Sequence, residues 1–354
     1  MMYHSSFGTV KHLSPAINEF FKTKIAKCAP DQVPLVRELA RELYGQSFDT
    51  FTGGGWTPGR HPITASSSTK CLLQSWFRHN QFPQEPLHPR VGATFRMGNI
   101  VELDLYLVAI LAGEEVSDYQ HQAQIQMGGW PTNNYLDFIH TSRVDGLRRV
   151  VDCKTMSSFS YQRVFDWGKG VDDSFGYLGQ MSQYVNYALE AGLADTDEGV
   201  FLCYKKDTGH IDEHIVRLDK ALIAKANASS KIIQDHTEYT DCSDCVQSEP
   251  VEGHGAAQEG YRRCHRCMGV PLVAAGQADS RRPPRPAEYA AVSGPDGWRL
   301  PLQCSYCDYK FSCWTRPWQR IGFSEGKPVY EETPEQYIQV HVDKKGKPQF
   351  LIQQ

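Results

Sequence analysis

The sequence contains no uninterrupted apolar stretch near the roughly 18 residues that would suggest a membrane span, so no membrane partner is expected. Its opening residues, MMYHSSFGTVKHLSP, lack the apolar core of a secretory signal, and a cytoplasmic location follows as the expectation. Charge of one sign is also scarce. The formal net charge is −4, so no global basic field advertises a nucleic-acid partner, and any such site must be local. There is no GxxxxGK[ST] loop, which excludes a built-in motor for unwinding, and no internal repeat of useful length. What is present is an ordinary globular composition over 354 residues, with 40% hydrophobic and 22% charged residues, enough for one large domain or two smaller ones. Cysteine is the exception. There are 11, an odd number, mostly in CxxC-like clusters, which in a chain without an export signal points to metal thiolates rather than disulfides.

Periodicity and turn chemistry lay out an α/β arrangement around one mixed sheet. The first sixty or so residues read as a loop, a helix over Pro34–Tyr44 and a Gly/Pro-rich loop. Serines before Cys71 suit the start of a helix that carries this cysteine. Residues 94–112 form the most apolar helix candidate. A β-rich block covers about 119–155, followed by a helix over Gly176–Gly192. A hairpin turning at Asp207-Thr208-Gly209 comes next, and then a further helix. Beyond it the composition changes: Gln234–Gly260 holds seven acidic residues and no Lys or Arg, whereas Gly260–Arg320 holds ten Lys/Arg against four Asp/Glu. Within that basic stretch RRPPRP should be extended, and YIQVHVDKKGKPQFLI near the end reads as a hairpin.

The segment from Arg143 to Lys154 carries the most chemical information. Read as two strands meeting at a tight turn, it sets Asp145 opposite Asp152, and like charges opposed on a hairpin need something to neutralise them. A hard divalent cation with oxygen ligands would do so; an exposed hairpin with solvated charges fits the same pattern. Asp152 and Lys154 share a strand face, so the lysine would stand beside such a cation, able to orient or help deprotonate an attacking water. Cys153 points the other way, toward the core, and would offer the metal only its backbone carbonyl. Gly98 and Glu102 share a face of the apolar helix, where the glycine permits close approach of backbone and the carboxylate needs a partner or an edge position reaching solvent. Gln180 and Tyr184 are likewise one turn apart, and by themselves suit a surface and a core position.

The cysteines form two sets. Cys304-x2-Cys307-x5-Cys313 supplies three thiolates in ten residues, with Cys71 the candidate fourth for an iron–sulfur cluster or a tetrahedral zinc. Cys242-x2-Cys245 and Cys264-x2-Cys267 have the spacing of a zinc ribbon, two knuckles giving tetrahedral S₄ ligation to Zn²⁺. Arginines flank the second knuckle and suit either phosphate contact or solvent.

In order along the chain, Gly98-x3-Glu102, Asp145, Asp152-x-Lys154 and Gln180-x3-Tyr184 resemble the RecB-type branch of the PD-(D/E)xK nucleases, over about residues 71–320. The isolated upstream cysteine with C-x2-C-x5-C resembles that branch's iron–sulfur subgroup, which includes AddB and the CRISPR-associated adaptation nucleases. The resemblance implies a restriction-endonuclease-like core with a mixed central sheet flanked by helices. It implies Mg²⁺ or Mn²⁺ on Glu102, Asp145 and Asp152, Lys154 as the catalytic lysine, and Gln180 and Tyr184 lining the site against DNA. It also implies a [4Fe–4S] cluster on Cys71, Cys304, Cys307 and Cys313. The organisation expected is an N-terminal extension (1–70), a nuclease core (71–240), an inserted zinc ribbon (241–270), a Pro/Arg-rich linker (271–298), a cluster-binding segment (299–321) and a hairpin tail (322–354). The expected activity is metal-dependent exonuclease action on DNA ends or single strands, beside a separate helicase or recombinase, in a bacterial cell or phage-infected host. A structure-specific endonuclease and a catalytically idle, cluster-bearing nucleic-acid-binding protein are the alternatives.

Overall fold

The computed structural model describes residues 11–52, 64–68, 71–79, 89–166 and 175–235, and beyond these the short segments 292–294, 297–299, 304, 307–310, 313, 322–324, 327–329, 337–342 and 348–353. The zinc-ribbon cysteines and the RRPPRP segment lie outside the described residues. Contacts divide the chain into two units, one holding residues 1–57, 64–66 and 88–226, the other 58–63, 67–87 and 227–354. The expected boundary near residue 70 is therefore not where the chain divides. The first helices belong with the central sheet, and the segment around Cys71 belongs with the C-terminal residues.

In chain order the helices α1 (Ser14–Thr23), α2 (Gln32–Thr52), α3 (Ala65–Ser68), α4 (Leu72–His79) and α5 (Pro89–Leu111) precede the strands. Two differences from the sequence reading stand out. α1 occupies what read as loop, and both α2 and α5 extend beyond the apolar runs that signalled them.

The first unit is built on a mixed five-stranded sheet flanked by helices. Its strands are β1 (Glu115–Ser117), β4 (Phe138–Thr141), β5 (Arg148–Met156), β6 (Glu198–Lys205) and β7 (His210–Arg217), in that spatial order. Only β5 and β6 run parallel. The crossover between them carries α6 (Ser158–Tyr161), a π-helical turn (Gln162–Asp166) and α7 (Tyr177–Glu190). β2 (His121–Met127) and β3 (Trp130–Leu136) form a separate antiparallel pair, where Ala123, Ile125 and Met127 point inward and glutamines outward. The central strands are buried on both faces, and Val150–Val151 and Val200–Cys203 are accordingly continuous apolar runs. Leu103, Leu105, Leu107 and Ala109 of α5 pack with Phe138, Val151, Val200 and Leu202, and Leu13 and Ile17 bring α1 into the same core.

Two local devices fix the helices to this sheet. Leu13, at the start of α1, has no side-chain oxygen with which to cap it. The buried carboxylate of Glu213 on β7 replaces the cap, accepting the backbone N–H groups of His12 (2.9 Å), Leu13 (2.7 Å) and Ser14 (2.8 Å). On the other side α7 lies against β6 at Gly199, where an added Cβ would stand 2.8 Å from Met181 Cγ and 2.9 Å from Val185 Cγ2. Hydrogen, in place of a methyl, is what lets α7 seat at this height above the sheet.

The last described helix is α8 (Lys220–Asp235). In the second unit β8 (Val292–Gly294), β9 (Gly297–Arg299), β12 (Tyr337–Val342) and β13 (Pro348–Gln353) form one sheet, and β10 (Gly322–Ser324) pairs with β11 (Lys327–Val329). The C-terminal hairpin is present as read, and β9 pairs with β13, so the end of the expected linker is strand. Among the described residues no helix is long and apolar enough to cross a membrane.

Gly199→Ala is expected to cost about 1–3 kcal/mol, the usual range for overpacking a filled site, read as a lowered urea midpoint.

Candidate active site

Strand alternation sends Asp152 and Lys154 of β5 to one face, where Lys154 Nζ lies 2.5 Å from Asp152 Oδ2. Asp152 is 1% exposed. Register supplies the second carboxylate. Phe138 pairs with Val151, so the preceding residue, Asp137, arrives beside Asp152, and its Oδ2 accepts the Cys153 backbone N–H at 2.6 Å. Asp137 sits where the chain leaves β3, paired with β2, and enters β4 of the central sheet.

Asp145, the acid expected here, lies elsewhere. The β4–β5 ladder ends at Thr141 and Arg148, and Asp145 belongs to the turn beyond it. Its carboxylate accepts both terminal nitrogens of the buried Arg149, at 3.0 and 2.7 Å, and the Leu147 backbone N–H at 3.1 Å. The Arg149 hydrogen bonds hold this carboxyl well below the usual range. Arg149 also bonds Glu198 at 2.9 Å, so Asp145 is neutralised within a structural ion-pair network and is not opposite Asp152.

α5 contributes Glu102, whose Oε1 accepts from the Gln120 side chain. Burial pushes its carboxyl up to about 7, Gln120 opposes this, and the charge of Asp152 adds to it. Asp137 is likewise pushed up by burial and then by Glu102 and Asp152. Gly98, one turn before Glu102, would meet nothing within 4 Å if it carried a Cβ, so close backbone approach is not its role here. α7 contributes the other pair: Gln180 Nε2 donates to Asp152 Oδ1 (3.2 Å) and to the hydroxyl of buried Tyr184 (3.1 Å). Burial and Asp152 raise the Tyr184 hydroxyl pKa. For Lys154 burial opposes the charge, but Asp152 and Asp137 outweigh it and hold the ammonium protonated. Its Nζ also stands 5.2 Å from the Tyr177 ring centre. The Cys153 side chain packs against the core, as its place on the opposite face requires.

Three carboxylates thus surround one ammonium. As they lie, no three His, Cys, Asp or Glu side chains among the described residues are arranged to hold a metal ion. The donor chemistry still suits a hard divalent cation. All the donors are oxygens, and three carboxyl groups face one ammonium, which is bonded to Asp152 Oδ2.

In the second unit Cys71 immediately precedes α4. The bonds Cys307 N–H to Cys304 O (3.1 Å) and Cys313 N–H to Tyr309 O (2.9 Å) wind the distant cysteines into successive turns. The Tyr309 N–H points at Cys307 Sγ (3.4 Å), and the Tyr309 ring stacks on Phe77 of α4 at 5.7 Å. That stacking ties the cysteine turns to the helix behind Cys71. Burial raises the Cys307 thiol pKa, and Cys71, Cys313 and Cys304 each raise it further. Cys71, Cys304 and Cys313 thus all act on Cys307, but among the described residues no three of these cysteines are disposed to hold a metal ion. The adjacent Lys310 is buried, which lowers its ammonium to about 8.

Because the folded state raises the Asp137 pKa, ionising that group costs stability as pH rises above its unfolded value near 3.8. Asp137→Asn, which can still accept from Cys153, is expected to be more stable than the wild type at pH 8 without divalent ions, with the gap closing toward pH 4. Urea unfolding at several pH values in chelator measures this.

No family model and no curated protein matches this chain. Among solved structures, the crystal structure of SSO0001 is 16% identical and aligns over 55% of this chain and 85% of that chain with a TM-score of 0.34, a likeness too slight to bear on fold or chemistry.

Proposed function

We propose that the protein is a metal-dependent DNA exonuclease with a PD-(D/E)xK-type core, hydrolysing phosphodiester bonds at DNA ends or in single strands. The observation that carries this reading is the convergence of Glu102, Asp137 and Asp152 on Lys154, with Gln180 of α7 bonded to Asp152. A structural ion pair would need one carboxylate for one ammonium. Two further half-buried acids, whose pKa values burial and neighbouring charge raise, are a cost that a polyvalent cation would relieve.

In this proposal Glu102, Asp137 and Asp152, with the Cys153 carbonyl on the strand between them, hold Mg²⁺ or Mn²⁺. When bound, such an ion supplies charge at the phosphate and a more acidic water. The chain's own residues do the remainder. Lys154, held protonated by Asp152 and Asp137, is a donor and a positive charge facing the phosphate rather than a base. Gln180 fixes Asp152 through one of its two amide protons and Tyr184 through the other, so α7 orients the acid. Cys71, Cys304, Cys307 and Cys313 have the donor set of a [4Fe–4S] cluster, and the N–H···S contact to Cys307 suits a thiolate ligand. The ribbon cysteines Cys242, Cys245, Cys264 and Cys267 are proposed as a Zn²⁺ site on their spacing alone. DNA would be presented by a separate helicase or recombinase, since the sequence carries no motor of its own.

With Mg²⁺ or Mn²⁺ the wild type is expected to degrade linear DNA and leave circular single strands intact. Lys154→Ala should lose at least about 100-fold in rate, the lower bound for removing one preorganised charge. Equal degradation by the two proteins would refute the reading, and cutting of circles would make it an endonuclease. Anaerobic purification should give a brown protein with iron and sulfide, and Cys307→Ser should lose the colour. A colourless preparation with zinc on these cysteines would overturn the cluster assignment.

A further inference from the structure

Near Lys154, at the end of β5, lies a hollow of about 140 Å³. Met156, two residues beyond Lys154 and therefore on its face, forms part of the lining. One wall is aromatic. The Phe175 and Tyr177 rings stack at 5.7 Å, with the Arg163 guanidinium 5.9 Å from the centre of Phe175. Tyr177 belongs to both places, since its ring also faces the Lys154 ammonium. The other wall is polar, with Thr155, Ser157, Ser160 and Lys206. Ser157 accepts the Ser160 backbone N–H (3.1 Å) and donates to the Ser160 hydroxyl (3.0 Å), which leaves Ser160 with its own O–H to give. The proposed hydrolytic reaction uses none of Thr155, Ser157, Ser160, Phe175 or Lys206.

We infer that this hollow receives one unpaired nucleobase of the strand whose phosphate reaches Lys154. The inference rests on the nuclease reading and adds a substrate class to it. The size suits a single six-membered ring, since a cavity of about 150 Å³ accommodates benzene. The chemistry suits a base as well. Aromatic rings pack against its faces, while the Ser160 hydroxyl offers a donor to the carbonyl oxygens that thymine carries on its edges. The placement suits a nearby nucleotide of the same strand: Met156 lies two strand residues, about 7 Å, beyond Lys154. A base held in a duplex cannot enter, so the hollow selects single strands or frayed ends.

The test is anisotropy titration of the full-length wild type without divalent ions, using a short fluorescent oligothymidylate and a blunt hairpin duplex at one fixed salt concentration. Phe175→Leu, which keeps bulk but loses the ring, is expected to weaken oligothymidylate binding about tenfold and leave the duplex unchanged. Phe175→Tyr should bind as the wild type does. Ser160→Leu, which fills the hollow from its polar side, should repeat the selective loss. Undiminished oligothymidylate binding by both Phe175→Leu and Ser160→Leu overturns the inference, as does equal weakening toward duplex, or a wild type that binds no single strand. Hydrolysis with Mg²⁺ is scored separately. Oligothymidylate held through Phe175 but never cut would refute the nuclease reading and leave the base site standing.

Discussion

The crowding of three acids around a single lysine is the constraint on which this structure turns. Asp152 is enclosed, Asp137 and Glu102 are brought to it from two other elements, and among the described residues Lys154 is the one cation set against them. Such a grouping lowers stability unless it is compensated, and folds ordinarily avoid it. Here the sheet register, the seating of α7 at Gly199 and the packing of α5 all act to hold the acids together. The core's packing therefore works against its own electrostatics at one place, and such places are where function concentrates.

Asp145 and Asp137 show how a local reading and a register can disagree. Asp145 stands in an Asp-Gly turn four residues before an arginine, and both facts are satisfied locally: its carboxylate caps the turn and pairs with Arg149. Asp137 lies between apolar Leu136 and Phe138, where a strand reading treats it as one polar residue in an alternating run. Its importance comes from the chain passing from one sheet to another at that residue, a long-range event that strand alternation alone does not reveal. The available signal was an acid interrupting the apolar stretch from Leu136 to Ile139, which resembles the environment of Asp152 in its own strand.

Other elements were legible because their determinants are local. The β6–β7 hairpin follows from its Asp-Thr-Gly turn, α7 from its periodicity, and the spacing of Gln180 and Tyr184 from helix geometry. The grouping of Cys71 with three cysteines more than 200 residues later was an expectation from thiolate number, a chemical requirement independent of the path between them, and Cys71 does lie near enough to Cys307 to raise its thiol pKa. α1 escaped notice for the opposite reason. Its own sequence has a leucine at the capping position, and the group that completes it comes from β7.

That borrowed carboxylate also sets an order of events during biosynthesis. Glu213 is 200 positions beyond Leu13, whose amide it binds, so a ribosome working at about 5–20 residues per second exposes α1 for roughly 10–40 s before its acceptor emerges. Through that interval Leu13 and Ile17 have no finished sheet to cover them. The growing chain must carry a sticky N-terminal segment until β7 arrives, a window in which chaperone capture or self-association of nascent chains competes with docking.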